Sequence, residues 1–218
     1  AGPAGSMAAV ELAGRGVSVL VVDRFLFPRE KICGDGLLED SLKILGDVGL
    51  DAAVREKAHP IDYIRFVAPN GCECDLEGKL YTLRRQELDA LILEAACARG
   101  ADFLGGIKIT SPLLHGETCR GAVGVDQQGH EVRINAQMVL LATGANFQML
   151  RAFGVLENKN NSAIGIRGYF RPRETVDESI MVVSDDHRLL PGYCWIFPMG
   201  RGIFNVGCGF FYRADIGI

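Results

Sequence analysis

Gly2 and Gly5, separated by Pro3 and Ala4, stand ahead of Ser6 and the run Met7-Ala8-Ala9-Val10-Glu11-Leu12-Ala13. Glycines at a turn let the backbone approach an anion, and the start of a following helix offers N–H groups without partners. The chemistry that calls for both is the holding of a pyrophosphate. Asp23 follows Gly5 at close to the roughly 20 positions at which a carboxylate meets ribose hydroxyls. Glycine turn, helix, apolar strand and acid, in that order, form the second half of a dinucleotide-binding βαβ unit. The chain opens at the second glycine of that motif, so the spacing predicts that a first strand is missing. A turn that binds nothing carries the same glycines, and spacing alone leaves both readings open.

A second cluster follows the acid. Phe27-Pro28-Arg29-Glu30-Lys31-Ile32-Cys33-Gly34-Asp35-Gly36-Leu37 places charges, a thiol and glycines directly after the ribose-side strand, where a loop would lie at the cofactor. Far along the chain, Tyr193, Trp195 and Phe197 alternate, so on a strand their rings share one face. Such rings form either a flat apolar wall or part of a core, and spacing alone favours the core. There is no G-x-S-x-G, H-E-x-x-H, P-loop or calcium loop. Seven cysteines without repeating spacing suggest free thiols, and Cys72-x-Cys74 reads as part of a surface hairpin. The four histidines stand singly in polar contexts and read as surface residues. Arg167, Arg171 and Arg173 form a basic patch, read as a solvated face.

These residues need elements to place them. With 48% hydrophobic and 23% charged residues among 218, the chain can bury a core. The helix at Met7–Ala13 ends at Gly14 and Gly16. Residues 17–22 form a β-branched strand, buried on both faces as parallel strands are. Leu88, Leu91, Ile92 and Ala95 recur at helical spacing, which predicts a helix over Gln86–Arg99 stopped by Gly100. Alternating stretches near Ile107, Val123 and Glu131–Ile134 predict an antiparallel meander, and Gln137–Ala142 a buried strand before the turn at Thr143-Gly144. Beyond Leu150 the pattern is strands only: 164–170, 179–183, 193–197 and 203–211, the last two joined at Gly200-Arg201-Gly202. A net charge of -4 excludes the positive field a nucleic acid needs. No apolar run reaches the roughly 18 residues of a membrane span, and the chain reads as cytosolic, with contact at a membrane surface left open.

The loop at 28–37 resembles the P-R-x-K-x-C-G-x-x-L pattern of the geranylgeranyl reductase family of FAD-dependent oxidoreductases. That family includes menaquinone reductases and lies within the p-hydroxybenzoate-hydroxylase-like group. Pro191-Gly192-Tyr193-Cys194-Trp195-Ile196-Phe197-Pro198, then Asn205-Val206-Gly207-Cys208-Gly209, is similar to its G-Y-x-W-I-F-P…N-V-G-x-G segment. Arg85-Gln86-Glu87-Leu88-Asp89 is similar to its R-x-x-[FL]-D at a helix start. The resemblance runs from Gly2 to Gly209. It implies an α/β (α+β) fold: a Rossmann-like FAD-binding domain with a β-meander over residues 1–155, and the start of an antiparallel β-sheet substrate domain over 156–218. Residues near 57–83 would side with the second domain, and both ends would be cut.

The resemblance further implies that FAD is held by Gly2, Pro3, Ala4 and Gly5, by Asp23 and Arg24, and by Arg85 from its helix start. Arg29 and Lys31 would favour an anionic reduced flavin or shape the loop, Cys33 and Gly34 would lie near the ring, and Thr143 and Gly144 would close the cofactor strand. That strand reads Ala142-Thr143-Gly144-Ala145-Asn146, where the wider group has G-A-D-G. Tyr193, Trp195, Phe197 and Pro198 would face the substrate, with Cys33 beside the flavin ring in a role left open. The activity implied is hydride transfer to isolated C=C bonds of a prenyl lipid or prenylquinone, with NAD(P)H or ferredoxin as electron donor. Rivals are an FAD-dependent aromatic monooxygenase or halogenase, a module without catalysis of its own, and, more distantly, a nicotinamide dehydrogenase.

Overall fold

The computed structural model describes residues 1–157 and 163–212. In chain order the elements are α1 (Pro3–Gly14), β1 (Leu20–Asp23), β2 (Gly36–Leu37), α2 (Glu39–Asp47), α3 (Asp51–Lys57), β3 (His59–Val67), β4 (Glu73–Thr82) and α4 (Arg85–Ala98). Then follow β5 (Asp102–Gly105), β6 (Lys108–His115), β7 (Thr118–Val125), β8 (Glu131–Asn135), α5 (Phe147–Ala152), β9 (Ala163–Phe170), β10 (Ile180–Ser184), β11 (Gly192–Pro198) and β12 (Phe204–Phe211). They sort into two compact units, Ala1–Arg29 with Gln86–Lys159, and Glu30–Arg85 with Asn160–Ile218. This division is discontinuous and differs from a single boundary at 155. Not only 57–83 but all of 30–85 joins the second unit, because β2, β3 and β4 hydrogen-bond into its sheet.

In the first unit, α1 starts with proline, whose missing N–H costs nothing at a helix start. Its buried Ser6, Ala9, Val10 and Ala13 fall at helical spacing. Gly16, at φ +78°, ends it, with the Gly16 and Val17 N–H groups closing on Ala13 and Leu12 carbonyls. β1 pairs in parallel with β5, Leu20 opposite Asp102 through Asp23 opposite Gly105. The strand is shorter than the expected 17–22 and is not buried on both faces: Val17 and Leu20 are exposed, and β5 is its one ladder partner among the described residues. β6, β7 and β8 form the expected antiparallel meander.

Two expectations need correction here. Residues 137–142 form no strand, and Met138 and Leu140 are exposed, because no ladder partner flanks them among the described residues. Extended backbone without a neighbour has nothing to pair its N–H and C=O groups. The stripe on α4 is rotated toward Leu88, Asp89, Ile92, Leu93 and Ala96, leaving Leu91 and Ala95 only half-buried. The rotation buries the Asp89 carboxylate, which takes the Arg29 guanidinium at 2.7 Å.

The second unit is a seven-stranded sheet in the order β2-β4-β3-β10-β11-β12-β9, antiparallel except where β3 runs parallel to β10. The four late strands match their sequence expectation, and the last two meet at Gly200-Arg201-Gly202, all three at positive φ. β3 and β4 form a hairpin whose turn carries Cys72, with Cys74 on the following strand, both exposed. All seven cysteines are free thiols. Ile61, Leu80 and Met181 form the sheet's buried cluster, with Ile64 and Phe197 packed against it.

Candidate functional site

The first unit gathers the residues expected at a dinucleotide. Gly2 caps α1 in extended conformation, and no acid lies in the helix's first turn, so its N–H groups face no competing charge. A Cβ on Gly5 would stand 3.2 Å from the Ala142 Cβ, so a glycine here lets the helix start lie close against the 142–144 segment. Thr143 and Gly144, the latter at φ +61°, follow at that contact. The Ser6 and Thr143 hydroxyls are buried without partners, two polar atoms that a bound phosphate or ribose oxygen would satisfy. At the end of β1 the Asp23 carboxylate accepts from the Ala1 amino group at 2.8 Å and from the Phe25 N–H at 3.0 Å. Arg24 is exposed and lies over the Phe25 ring. Together these groups fit a pyrophosphate and ribose.

Arg29 behaves differently. Its guanidinium is 10% exposed, bonded to Asp89 and stacked on Phe27, so its charge is spent on shaping the loop. Lys31 is exposed.

In the second unit, the loop after Arg29 meets the aromatic strand. The Trp195 indole covers Gly207: a Cβ there would be 2.2 Å from the indole Cζ2. A Cβ on Gly34 would touch Phe197 at 3.3 Å and the Trp195 Nε1 at 3.6 Å, and one on Gly36 would touch Met181 and Phe197. These glycines thus let the loop backbone settle on the rings of β11. Tyr193, Trp195 and Phe197 share a face as the alternation requires, with ring centroids 5.9 and 6.4 Å apart. They differ in burial. Phe197 belongs with the sheet's core, and Pro198 is buried, its carbonyl accepting from the Thr82 hydroxyl at 2.5 Å. Tyr193 is 43% exposed, and Trp195 is half-buried between them.

Three residues that sequence reasoning passed over hold this arrangement. Asp35, at φ +65° and 2% exposed, accepts at one oxygen from the Arg85 N–H at 3.2 Å and at the other from Asn205 at 2.8 Å and from the Tyr169 hydroxyl. Burial pushes the Asp35 carboxyl above its ordinary value, against the pull of those bonds and of Arg167. Burial and the bond to Asp35 push the Tyr169 hydroxyl up as well. Arg84 and Arg167 stack on Tyr169 at 4.6 and 4.2 Å from its centroid. Arg167 also bonds Glu30 and the Lys31 carbonyl, so it is no solvated patch residue, while Arg171 and Arg173 are exposed beyond β9. His59 is likewise half-buried, its ring bonded to the Glu178 carbonyl at 2.7 Å, whereas His115, His130 and His187 are exposed. Arg85 contributes its backbone N–H here, from the first residue of α4. Cys33 is half-buried, and its carbonyl accepts from Asn205 at 2.8 Å. Asn205 stood inside a quoted motif, and Asp35 next to Gly34, yet only their contacts reveal them.

A glycine turn at a helix start with an acid at the following strand's end is the dinucleotide-binding arrangement of an α/β protein. The model of the FAD binding domain family matches residues 1–169, and the chain belongs to that family. FAD is the cofactor this family binds. The chain is 32% identical over 96% of its length to a menaquinone reductase of Mycobacterium tuberculosis, covering 53% of that protein. It is 31% identical over 96% of its length to digeranylgeranylglycerophospholipid reductase 2 of Methanopyrus kandleri, covering 52% of it. The chain thus spans about half the length of these relatives. Among solved structures, a geranylgeranyl bacteriochlorophyll reductase-like protein of Thermoplasma acidophilum superposes with TM-score 0.82 at 23% identity, over 96% of this chain and 54% of the other. The myxobacterial chondrochloren halogenase superposes with TM-score 0.83 at 21% identity, over 100% and 52%. Both likenesses show the fold.

Proposed function

We propose that the chain is part of a flavin-dependent reductase that saturates isolated C=C bonds in the prenyl chain of a lipid or quinone. The observation that carries this reading is the aromatic face of β11: Trp195 covering Gly207, with Tyr193 beside it and the Cys33–Gly34 backbone against it. A flat apolar surface suits a polyene, which has no polar group to grip. The names of the menaquinone and digeranylgeranylglycerophospholipid reductases support the same substrate class.

When bound, FAD supplies the hydride chemistry that an unactivated alkene requires. The α1 start, Gly2, Gly5, Ser6, Thr143 and Asp23 would hold its phosphate and ribose. Trp195 and Tyr193 would orient the chain and exclude water, so that alignment, the chief contribution a protein makes to such a transfer, comes from rigid strands. Arg29 and Asp89 would fix the loop that precedes Cys33. NAD(P)H and ferredoxin are the candidate donors, and no helix among the described residues is long and apolar enough to cross a membrane.

The test is to load the chain with FAD, desalt it, and read the flavin absorbance, then offer the dithionite-reduced form geranylgeranyl lipids and menaquinone. The expected products are heavier by pairs of hydrogens. Oxygen-dependent hydroxylated or halogenated products would overturn the reading, and loss of flavin on desalting from a folded chain would assign the catalysis to a longer chain.

A further inference from the structure

The loop and the aromatic wall meet through one side chain. Asn205 on β12 is fully buried. Its amide oxygen accepts from the Trp195 Nε1–H at 3.0 Å, and its nitrogen donates to the Cys33 carbonyl and to Asp35 Oδ2, each at 2.8 Å. Both amide hydrogens are therefore committed. The partners also dictate the amide's orientation, since a flipped side chain would set its nitrogen against an indole N–H and its oxygen against a carbonyl and a carboxylate. Asp35 is anchored in turn by the Arg85 N–H and Tyr169, so the amide has little room to turn.

We propose that Asn205 is a positioning residue that registers the Cys33–Gly34 backbone against the Trp195 indole, and so sets where along that ring a prenyl chain can lie. The substrate half of this statement rests on the reductase reading. The coupling half rests on the contacts alone.

Two variants separate this role from simple support of the fold. Asn205→Leu removes all three bonds. Asn205→Asp combined with Asp35→Asn exchanges amide and carboxylate, keeps one bond between positions 35 and 205 and the acceptor for the indole, turns the Tyr169 hydroxyl from donor to acceptor at position 35, and sets a carboxylate oxygen against the Cys33 carbonyl in place of its donor. Trp195 is the chain's single tryptophan, so its emission reports on the indole bond without interference. Alkylation of Cys33 by iodoacetamide, followed by peptide mass spectrometry with Cys119 of the other unit as reference, reports on the loop.

In the exchanged variant we expect cooperative unfolding and Trp195 emission like the parent chain's, with Cys33 alkylated several-fold faster. In Asn205→Leu both signals shift. An unchanged Cys33 rate in the exchanged variant overturns the proposal, and so does loss of cooperative unfolding there, which would make the network a folding element only. In the flavin-loaded enzyme, the exchanged variant should lower transfer to the prenyl substrate by about tenfold while dithionite reduction of the flavin keeps its rate. Should the parent chain retain no flavin, the transfer measurement moves to a longer chain, and the emission and alkylation results still decide the positioning role.

Discussion

At the scale of single residues, Asp35 is the group whose titration matters. Burial raises its carboxyl, so the folded chain holds the proton more tightly than the unfolded one. Its stabilising contribution is then present in full below about pH 4, the unfolded value, and is lost as pH rises through the higher folded value. Asp75 and Asp186, held low by bonds to Arg65 and Arg188, work in the opposite direction as pH falls. Asp35→Asn leaves those groups in place and removes only the Asp35 slope. Urea midpoints of the two chains from pH 4 to 7 should diverge, the variant gaining as pH rises. Parallel curves would mean that Asp35 ionises equally in both states. Asparagine tolerates the left-handed backbone at φ +65°, so the substitution does not confound the comparison.

At the scale of elements, the meeting of β11 and β12 depends on a glycine that no helix or strand propensity would ask for. Gly207 faces Trp195 across the ladder, and an alanine there would put its Cβ 2.2 Å from the ring and 2.6 Å from the Ile166 carbonyl. Gly207→Ala should cost about 1–3 kcal/mol, as overpacking does, and should shift the Trp195 emission because the ring must lift. Gly165→Ala, whose Cβ would meet the Cys208 carbonyl at 3.4 Å, is the matched control and should move neither. Equal losses from the two would show that the ring does not need the glycine. Strand alternation in the sequence already placed Tyr193, Trp195 and Phe197 on one face. It did not divide them into an exposed ring, a half-buried ring and a core ring, because burial depends on what lies over each position, here the 33–36 loop and Met181.

At the scale of the whole molecule, the chain leaves its first unit at Arg29 and returns at Gln86. The Arg29–Asp89 pair, 2.7 Å long with side chains 10% and 0% exposed, ties the point of exit to the point of return. Closing so long an excursion costs loop entropy, and a buried pair holds it where an exposed one would not. Asp89→Asn preserves shape and removes the charge, leaving a buried guanidinium without its counter-ion. We expect a loss of about 3–5 kcal/mol in urea unfolding. A loss below about 1 kcal/mol, the range of exposed pairs, would show that Arg29 finds water instead. This pair joins the P-R-x-K-x-C-G loop of this chain to its R-x-x-[FL]-D helix start, a link hidden from either pattern alone.

What the sequence determined by itself was whatever depends on neighbours a few positions apart. The glycine stops of α1 and α4, the meander, the four late strands, the exposed C-x-C hairpin and the glycine turn with its distant Asp23 all follow local geometry and periodicity, whereas α1 begins at Pro3, four residues ahead of the expected Met7. Tertiary structure alone decided the rest. Whether 137–142 is a strand depends on a ladder partner, and which face of α4 is buried depends on Arg29. That Asp35, Tyr169 and Asn205 converge depends on strands far apart in the chain, paired by a sheet whose order is not the order of the sequence. Hydrogen bonds between such residues leave no periodic trace, because each partner satisfies only its own local strand or loop pattern until the sheet brings the two together.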